Sequence, residues 1–197
     1  RQKLPLREFH RKYAHIGNCS ETCDICRLIK GAMRRISKTI DPYRETRPAH
    51  TWSMDTITFS HRSLNGSKYL TALRCKATGF IKNIYLYLRS DIVTQLEQWI
   101  LTIRADPAFS YLPYKAVSVI VTDEPGEWSR RSVAFQAMLL RVKHVDVVYV
   151  TPETSKEAGH AEATNSIMEE TTKAILMQQN LPEDHWEVCA ESAERLL

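Results

Sequence analysis

Two groups of residues in this chain have the types and spacing of working chemistry. The first is made of carboxylates: Asp55, Asp123 and Glu162. Asp55 sits within Trp52–Phe59, where Trp52, Met54, Ile57 and Phe59 supply the large apolar positions of a strand. An acid there is costly unless it faces out or has a task. Asp123 comes just after the apolar run Ala116–Val121, and open α/β sheets hold ligands at the carboxyl ends of their strands. Glu162 heads a long helical pattern. If the first and fourth strands are neighbours, the two aspartates lie side by side, and a helix packed alongside brings Glu162 to them. Adjacent carboxylates repel one another, a divalent cation relieves the repulsion, and oxygen-only ligands select Mg²⁺ or Mn²⁺. Such clusters run phosphoryl transfer, with one cation activating the attacking oxygen and one steadying the leaving oxygen. Each acid alone has a plainer reading, as a helix cap or as a charge that suits a helix dipole. Glu157 and Glu169 are rivals for the third place.

The second group lies in the first 38 residues. His10 and His15 are followed by Cys23-Asp-Ile-Cys26. A Cys-x2-Cys turn aims both sulfurs at one ion, and structural zinc takes four such ligands in a tetrahedron. Five residues separate the histidines by about 140° on an ideal helix, so one regular helix does not present both easily. Gly17 fits a helix that ends near His15. Cys19 is a spare thiol that could replace a histidine. The plainer alternative is surface histidines and reduced cysteines. A segment with so few apolar residues gains from metal the stability it cannot draw from a core.

The elements that must position these groups follow from pattern. Residues 1–38 form the basic Cys/His unit. Residues 39–51, with two prolines and no periodicity, read as a linker, and residues 52–197 as one catalytic core. Trp52–Phe59, Tyr69–Cys75 and Phe80–Leu88 are three β-rich runs, with a turn signal at Asn65-Gly66, and make an antiparallel meander. A helix starts at Ser90-Asp91, with Ile92, Leu96, Trp99, Ile100 and Ile103 as its stripe. Ala116–Val121 and Val145–Val150 are two buried strands. Val133–Val142 and Glu162–Gln178 are helices, and Pro182-Glu183-Asp184 opens a last one through Leu197. The order is β-β-β-α-β-α-β-α-α.

Charge separates the two parts. Of 27 Lys/Arg and 23 Asp/Glu, residues 1–50 hold 12 and 5. The head is therefore strongly basic and the rest mildly acidic, and a basic head suits a polyanion such as nucleic acid, or is a solubilising tail. Five cysteines, three of them within eight residues, are too few and too uneven for a secreted disulfide framework. Cys75 and Cys189 lie in apolar patterns and read as buried thiols. No apolar run approaches the ~20 residues of a membrane span. A chain that starts at Arg1 and stops within a helical pattern reads as a piece of a longer polypeptide.

At this point the motifs match a family. Phe9-His10-Arg11-Lys12-Tyr13-Ala14-His15, Cys23-Asp-Ile-Cys26, Trp52-Ser-Met-Asp55, Val121-Thr-Asp123 with Gly126-Glu127-Trp128, and Gly159-His-Ala161-Glu162 with Asn165 occur in the order found in retrotransposon integrases. The chain resembles the copia type, over nearly its whole length. The resemblance implies an α/β fold: a small helical HHCC zinc-binding domain, then an RNase H-like core with a mixed five-stranded sheet flanked by helices. It implies a D,D,E triad at Asp55, Asp123 and Glu162 holding Mg²⁺ or Mn²⁺, and Zn²⁺ on His10, His15, Cys23 and Cys26. The activity implied is 3′-end processing and strand transfer of element DNA into target DNA. The enzyme would be a homo-oligomer cut from a Pol polyprotein and would act within element particles, in nucleus and cytoplasm. Lys156, His160, Asn165 and Arg130 are candidates for DNA contact, as solvated surface is the alternative. Trp52 and Trp128 flank the acids, as stacking residues or as core. Departures from the pattern are Glu124-Pro125 where Asn-Gly is usual, Ala158, Ala163, and a short gap between His15 and Cys23. Two other readings stand beside the integrase: a decayed or host-adopted nucleic-acid-binding relative, and an RNase H-like nuclease that cuts without joining.

Overall fold

The computed structural model describes residues 45–123, 126–150 and 155–196, with the backbone alone for 155–162. Three strands, β1 (Thr51–Thr58), β2 (Tyr69–Cys75) and β3 (Ile81–Leu86), form the antiparallel meander. The Asn65-Gly66 turn lies in a longer connection between β1 and β2, closed by Phe59 N–H to Lys68 O and Ser63 N–H to Ser67 O. Gly66 has φ +87°, a left-handed conformation that glycine adopts without steric cost. β4 (Val119–Thr122) then pairs parallel with β1, and β5 (Asp146–Tyr149) parallel with β4. The five-stranded order is β3-β2-β1-β4-β5.

The pleat divides the side chains between two cores. Trp52 and Met54 of β1 point to one face, where α1 (Ile92–Ala105) and α2 (Val133–Val142) pack. Leu96, Ile100, Phe135 and Met138 are fully buried there. Trp52 meets Trp99 edge-on with ring centroids 4.9 Å apart. Ile57 points to the other face, against Met168 of α3 (Ser155–Gln179) and Trp186, Ala190 and Ala193 of α4 (Trp186–Leu196). Phe59 stacks on Trp186 at 3.9 Å. Truncating an aromatic residue buried this way costs about 3–5 kcal/mol.

Element order and type follow the sequence expectation, with four corrections. The fourth strand begins at Val119, not Ala116, because Val117 turns left-handed at φ +55° and its carbonyl and that of Ala116 bond to Arg104. The fifth strand is not buried on both faces. It is the last in the sheet order, and Val148 is 42% exposed. The helix expected from Glu162 starts at Ser155, which puts Glu162 within it. The last helix starts at Trp186, after a 3-10 turn at Glu183–His185 whose N-cap is Pro182.

Arg104, near the end of α1, joins the entrances of two strands. Nε and Nη2 donate to Ala116 O and Val117 O at 2.9 and 3.0 Å, before β4. Nη1 donates to Val142 O and Lys143 O at 2.6 and 2.9 Å, and Nη2 to His144 O at 3.1 Å, before β5. Lys143 and His144 are also left-handed. The guanidinium thus satisfies carbonyls that irregular backbone has turned away from the ladder.

Within the stretch read as linker, residues 45–51 are tied to the core. Ala49 and His50 are buried, and the Trp52 indole donates to Ala49 O at 2.9 Å. His10, His15, Cys19, Cys23 and Cys26 lie outside the described residues. Among the described residues, no helix is long and apolar enough to cross a membrane.

Candidate active site

Asp55 is half-buried in the middle of β1. Its partner on β2 is the buried Ala72. Ser53 of β1 is paired with Val121 of β4 in parallel. Carrying this register two residues on sets Asp55 beside Asp123, where β4 has just ended. Adjacent strands put their Cα atoms roughly 5 Å apart. Alternation along β4 directs Ile120 and Thr122 toward α1 and α2 and Val121 to the face of Asp55. That is the face covered by α3.

The helix makes direct contact with this site. Asn165 Nδ2 donates to Asp55 Oδ2 at 2.7 Å. A carboxylate only accepts, so the amide N–H must face it and Asn165 Oδ1 is turned away. That oxygen is buried and has no hydrogen-bond partner among the described residues. Asp55 Oδ1 takes the backbone N–H of Thr56 at 2.7 Å. One residue earlier on α3, Thr164 is buried and accepts from Arg74 Nη1 of β2 at 3.4 Å. Glu162 lies three residues before Asn165, about 4.5 Å along the helix axis.

Asp123 is exposed at the carboxyl end of β4. Thr122 Oγ1 donates to Asp123 Oδ1 at 3.3 Å and accepts from Trp128 Nε1 at 3.0 Å. Trp128 is 1% exposed and packs in the core beneath the strand end, so it is not a stacking surface, and neither is Trp52 at 2%. Cys75 and Cys189 are buried free thiols, as their patterns suggested, and burial pushes the Cys189 thiol up.

The structure brings Asn165 to Asp55 and places Asp123 just past the end of the neighbouring parallel strand. Glu169, the rival acid, pairs with Lys173 at 3.4 Å on α3. Among the described residues no group of three His, Cys, Asp or Glu side chains could hold a metal, so Glu169 does not complete a cluster with the two aspartates. The side chains of Lys156, Glu157, His160 and Glu162 lie outside the described residues, although α3 carries all four. Arg130 is exposed, with its guanidinium 5.0 Å from the centre of the Tyr149 ring at the end of β5. Sequence reasoning passed over Thr122 and Arg74. Thr122 directly precedes an acid at a strand end, and that position was the available signal.

Asp55 offers carboxylate oxygens, and the amide that bonds it carries the orphaned Asn165 Oδ1 on its other side. Hard oxygen donors suit a Mg²⁺- or Mn²⁺-sized cation and offer nothing to a soft one.

No family model matches the sequence, and no curated protein matches it. Solved structures do match in shape. The chain is similar to one in the simian T-cell lymphotropic virus intasome, with a TM-score of 0.56 and 19% identity over 86% of this chain. It spans 56% of that chain's length. It is also similar to the catalytic core domain of HTLV-2 integrase in complex with magnesium. The dimeric form gives a TM-score of 0.52 at 19% identity, covering 77% of this chain and 86% of that one. The trimeric form gives 0.53 at 18%, covering 76% and 85%. A mixed five-stranded sheet flanked by helices, in this order, is the fold of an integrase catalytic core.

Proposed function

We propose that this chain is an integrase, a metal-dependent polynucleotidyl transferase that trims the 3′ ends of retrotransposon DNA of the copia type and joins them to target DNA. The observation that carries the reading is the meeting of Asn165 with Asp55, on a strand that lies parallel beside the one ending just before Asp123. An integrase-type sheet carrying two acids so placed, with a helix laid over them, supports the D,D,E assignment of Asp55, Asp123 and Glu162. The HTLV-2 integrase core, similar in fold, is in complex with magnesium. The oxygen donors of this site fit that ion.

In this reading Asp55, Asp123 and Glu162 hold the divalent cations, and Asn165 orients Asp55. When bound, the cations supply deprotonation of the attacking water or DNA 3′-hydroxyl and neutralise charge in the in-line displacement. The chain's own contribution is alignment: strands β1 and β4 are rigid supports, and α3 brings the third acid over them. Lys156, His160 and Arg130 meet DNA phosphates. Residues 1–38 form a zinc unit on His10, His15, Cys23 and Cys26, joined by residues 39–51 to the core. The enzyme works as a homo-oligomer released from a larger polyprotein, inside the cell and its nucleus.

The test is Mg²⁺-dependent strand joining with element-end oligonucleotides. Wild-type protein should process and join. Glu162→Gln should abolish both reactions while DNA binding in the presence of salt stays near wild type, because the phosphate-contacting cations remain. Cutting without joining would replace this reading with a nuclease. Binding without either reaction in the wild type would replace it with a non-catalytic relative.

A further inference from the structure

Trp128 lies on the 3-10 turn Gly126–Trp128 that follows Asp123, with its ring buried under the end of β4. Packing alone would be served by any large apolar ring. The indole does more. Its N–H donates to Thr122 Oγ1 at 3.0 Å, and Thr122 Oγ1 donates to Asp123 Oδ1 at 3.3 Å. Thr122 is itself 1% exposed, so this hydroxyl has no competing water. The turn that carries Trp128 is fixed from the other side, where Tyr149 OH donates to Trp128 O at 2.8 Å.

Hydrogen count gives the chain its direction. An indole nitrogen only donates and a carboxylate only accepts. With a lone pair of Thr122 Oγ1 taken by the indole, the single hydroxyl proton goes to Asp123. We infer that Trp128 and Thr122 are positioning residues that hold one carboxylate oxygen of Asp123 and so set the direction in which the acid meets a divalent cation. This rests on the metal-binding reading of Asp123 given above. It answers a need of the site: Asp123 is exposed, beyond the last ladder bond of β4, and its side chain would otherwise be free to rotate. A phenylalanine at position 128 would keep an aromatic ring in the core, though a smaller one, and leave the hydroxyl proton undirected.

The experiment is a Mn²⁺ titration of the 197-residue chain, followed by the electron paramagnetic resonance signal of the free ion. Asp123→Asn marks the binding that belongs to this site. Trp128→Phe keeps an aromatic ring and removes the N–H, Thr122→Val keeps the shape and removes the hydroxyl, and Thr122→Ser keeps the hydroxyl. Weakening of the Asp123-dependent binding by about tenfold is expected for Trp128→Phe and for Thr122→Val. The double variant should be no weaker than either alone, since both break one chain. Thr122→Ser should bind as wild type. Melting temperatures measured in parallel separate loss of fold from loss of orientation. Wild-type Mn²⁺ affinity in folded Trp128→Phe, with binding still lost in Asp123→Asn, would overturn the relay and leave the metal site standing. Unchanged Mn²⁺ binding in Asp123→Asn would overturn the metal reading and the relay with it.

Discussion

Asn165 Nδ2 donates to Asp55 Oδ2 at 2.7 Å, a bond that spans 110 positions of sequence and joins α3 to the central strand. Replacing this donor by an acceptor reverses the sign of the contact. Asn165→Asp sets two carboxylates against each other and should lower the melting temperature in chelator by about 5 °C, on a scale of 2–4 °C per kcal/mol for a chain of this size. Added Mg²⁺ should recover most of the loss, because a cation satisfies both acids. Differential scanning calorimetry with and without the ion checks this, and equal melting of variant and wild type in chelator would show the bond to be energetically idle.

Arg104 holds five carbonyls at the entrances to β4 and β5. Burial pushes its guanidinium down from its ordinary value, and the carbonyls keep it satisfied. Arg104→Met removes this donor from all five carbonyls, three of them on left-handed residues. The expected cost is about 3 kcal/mol, from the part-buried acceptors on Ala116, Val117 and Val142 at about 1 kcal/mol each, the exposed carbonyls of Lys143 and His144 being open to water. Arg104→Lys should recover little, since an ammonium cannot span both strand entrances. Urea unfolding midpoints measure both.

The segment before β1 is held by charge. Arg47 Nε and Nη2 each lie 2.9 Å from the Glu45 carboxylate, and Thr51 Oγ1 donates to it at 2.7 Å. The Arg47 bond is the main reason the Glu45 carboxyl is held at about 2 rather than 4.5. His50 is pushed below its ordinary 6.5 by burial and then by the Arg47 charge, which together outweigh the Glu45 carboxylate 3.4 Å away. The unfolded chain therefore protonates first at both residues, and stability falls on acidification. The His50 contribution starts to fall below pH 6.5, and that of Glu45 is present above pH 4.5 and is lost as the pH drops toward 2. Glu45→Gln should flatten the lower window and deepen the upper one, because the carboxylate that favours protonated His50 is gone, as read from urea midpoints across pH.

Zinc is expected on His10, His15, Cys23 and Cys26. Metal analysis of the purified chain should find about one zinc, and chelation should unfold residues 1–38 while the core stays folded. Zinc retained by His10→Ala but lost with Cys19→Ser would move the fourth ligand to Cys19. A zinc-free chain with an unchanged circular dichroism spectrum would remove the site.

The order of elements was readable because its signals are local. The stripe at Ile92, Leu96, Trp99 and Ile100 marks α1, and all four are buried. The alternation in β1 separates Met54 from Ile57 onto opposite faces, as the two cores require. Glycines at 66 and 79 stand at positive φ in the two meander connections. Boundaries were less readable wherever a distant group decided them. Val117 belongs to an apolar run that reads as strand, and it leaves the strand because Arg104 and Ala49 bond its carbonyl and its N–H. Val145–Val150 reads as buried because composition reports hydrophobicity and not sheet order.

The same division holds at the site. Sequence alone determined that an acid stands inside the first strand, that another ends the fourth, and that a long helix carries Glu162 and Asn165 three residues apart. Each of these depends on residues within a few positions of one another. The tertiary structure alone decided that β1 and β4 pair in parallel with Ser53 against Val121, that α3 lies on the face of Asp55, and that Trp128 reaches Thr122 and not a ligand. Register and the direction of a side chain are set when elements far apart in the chain bury their apolar faces together, and no local pattern encodes that choice.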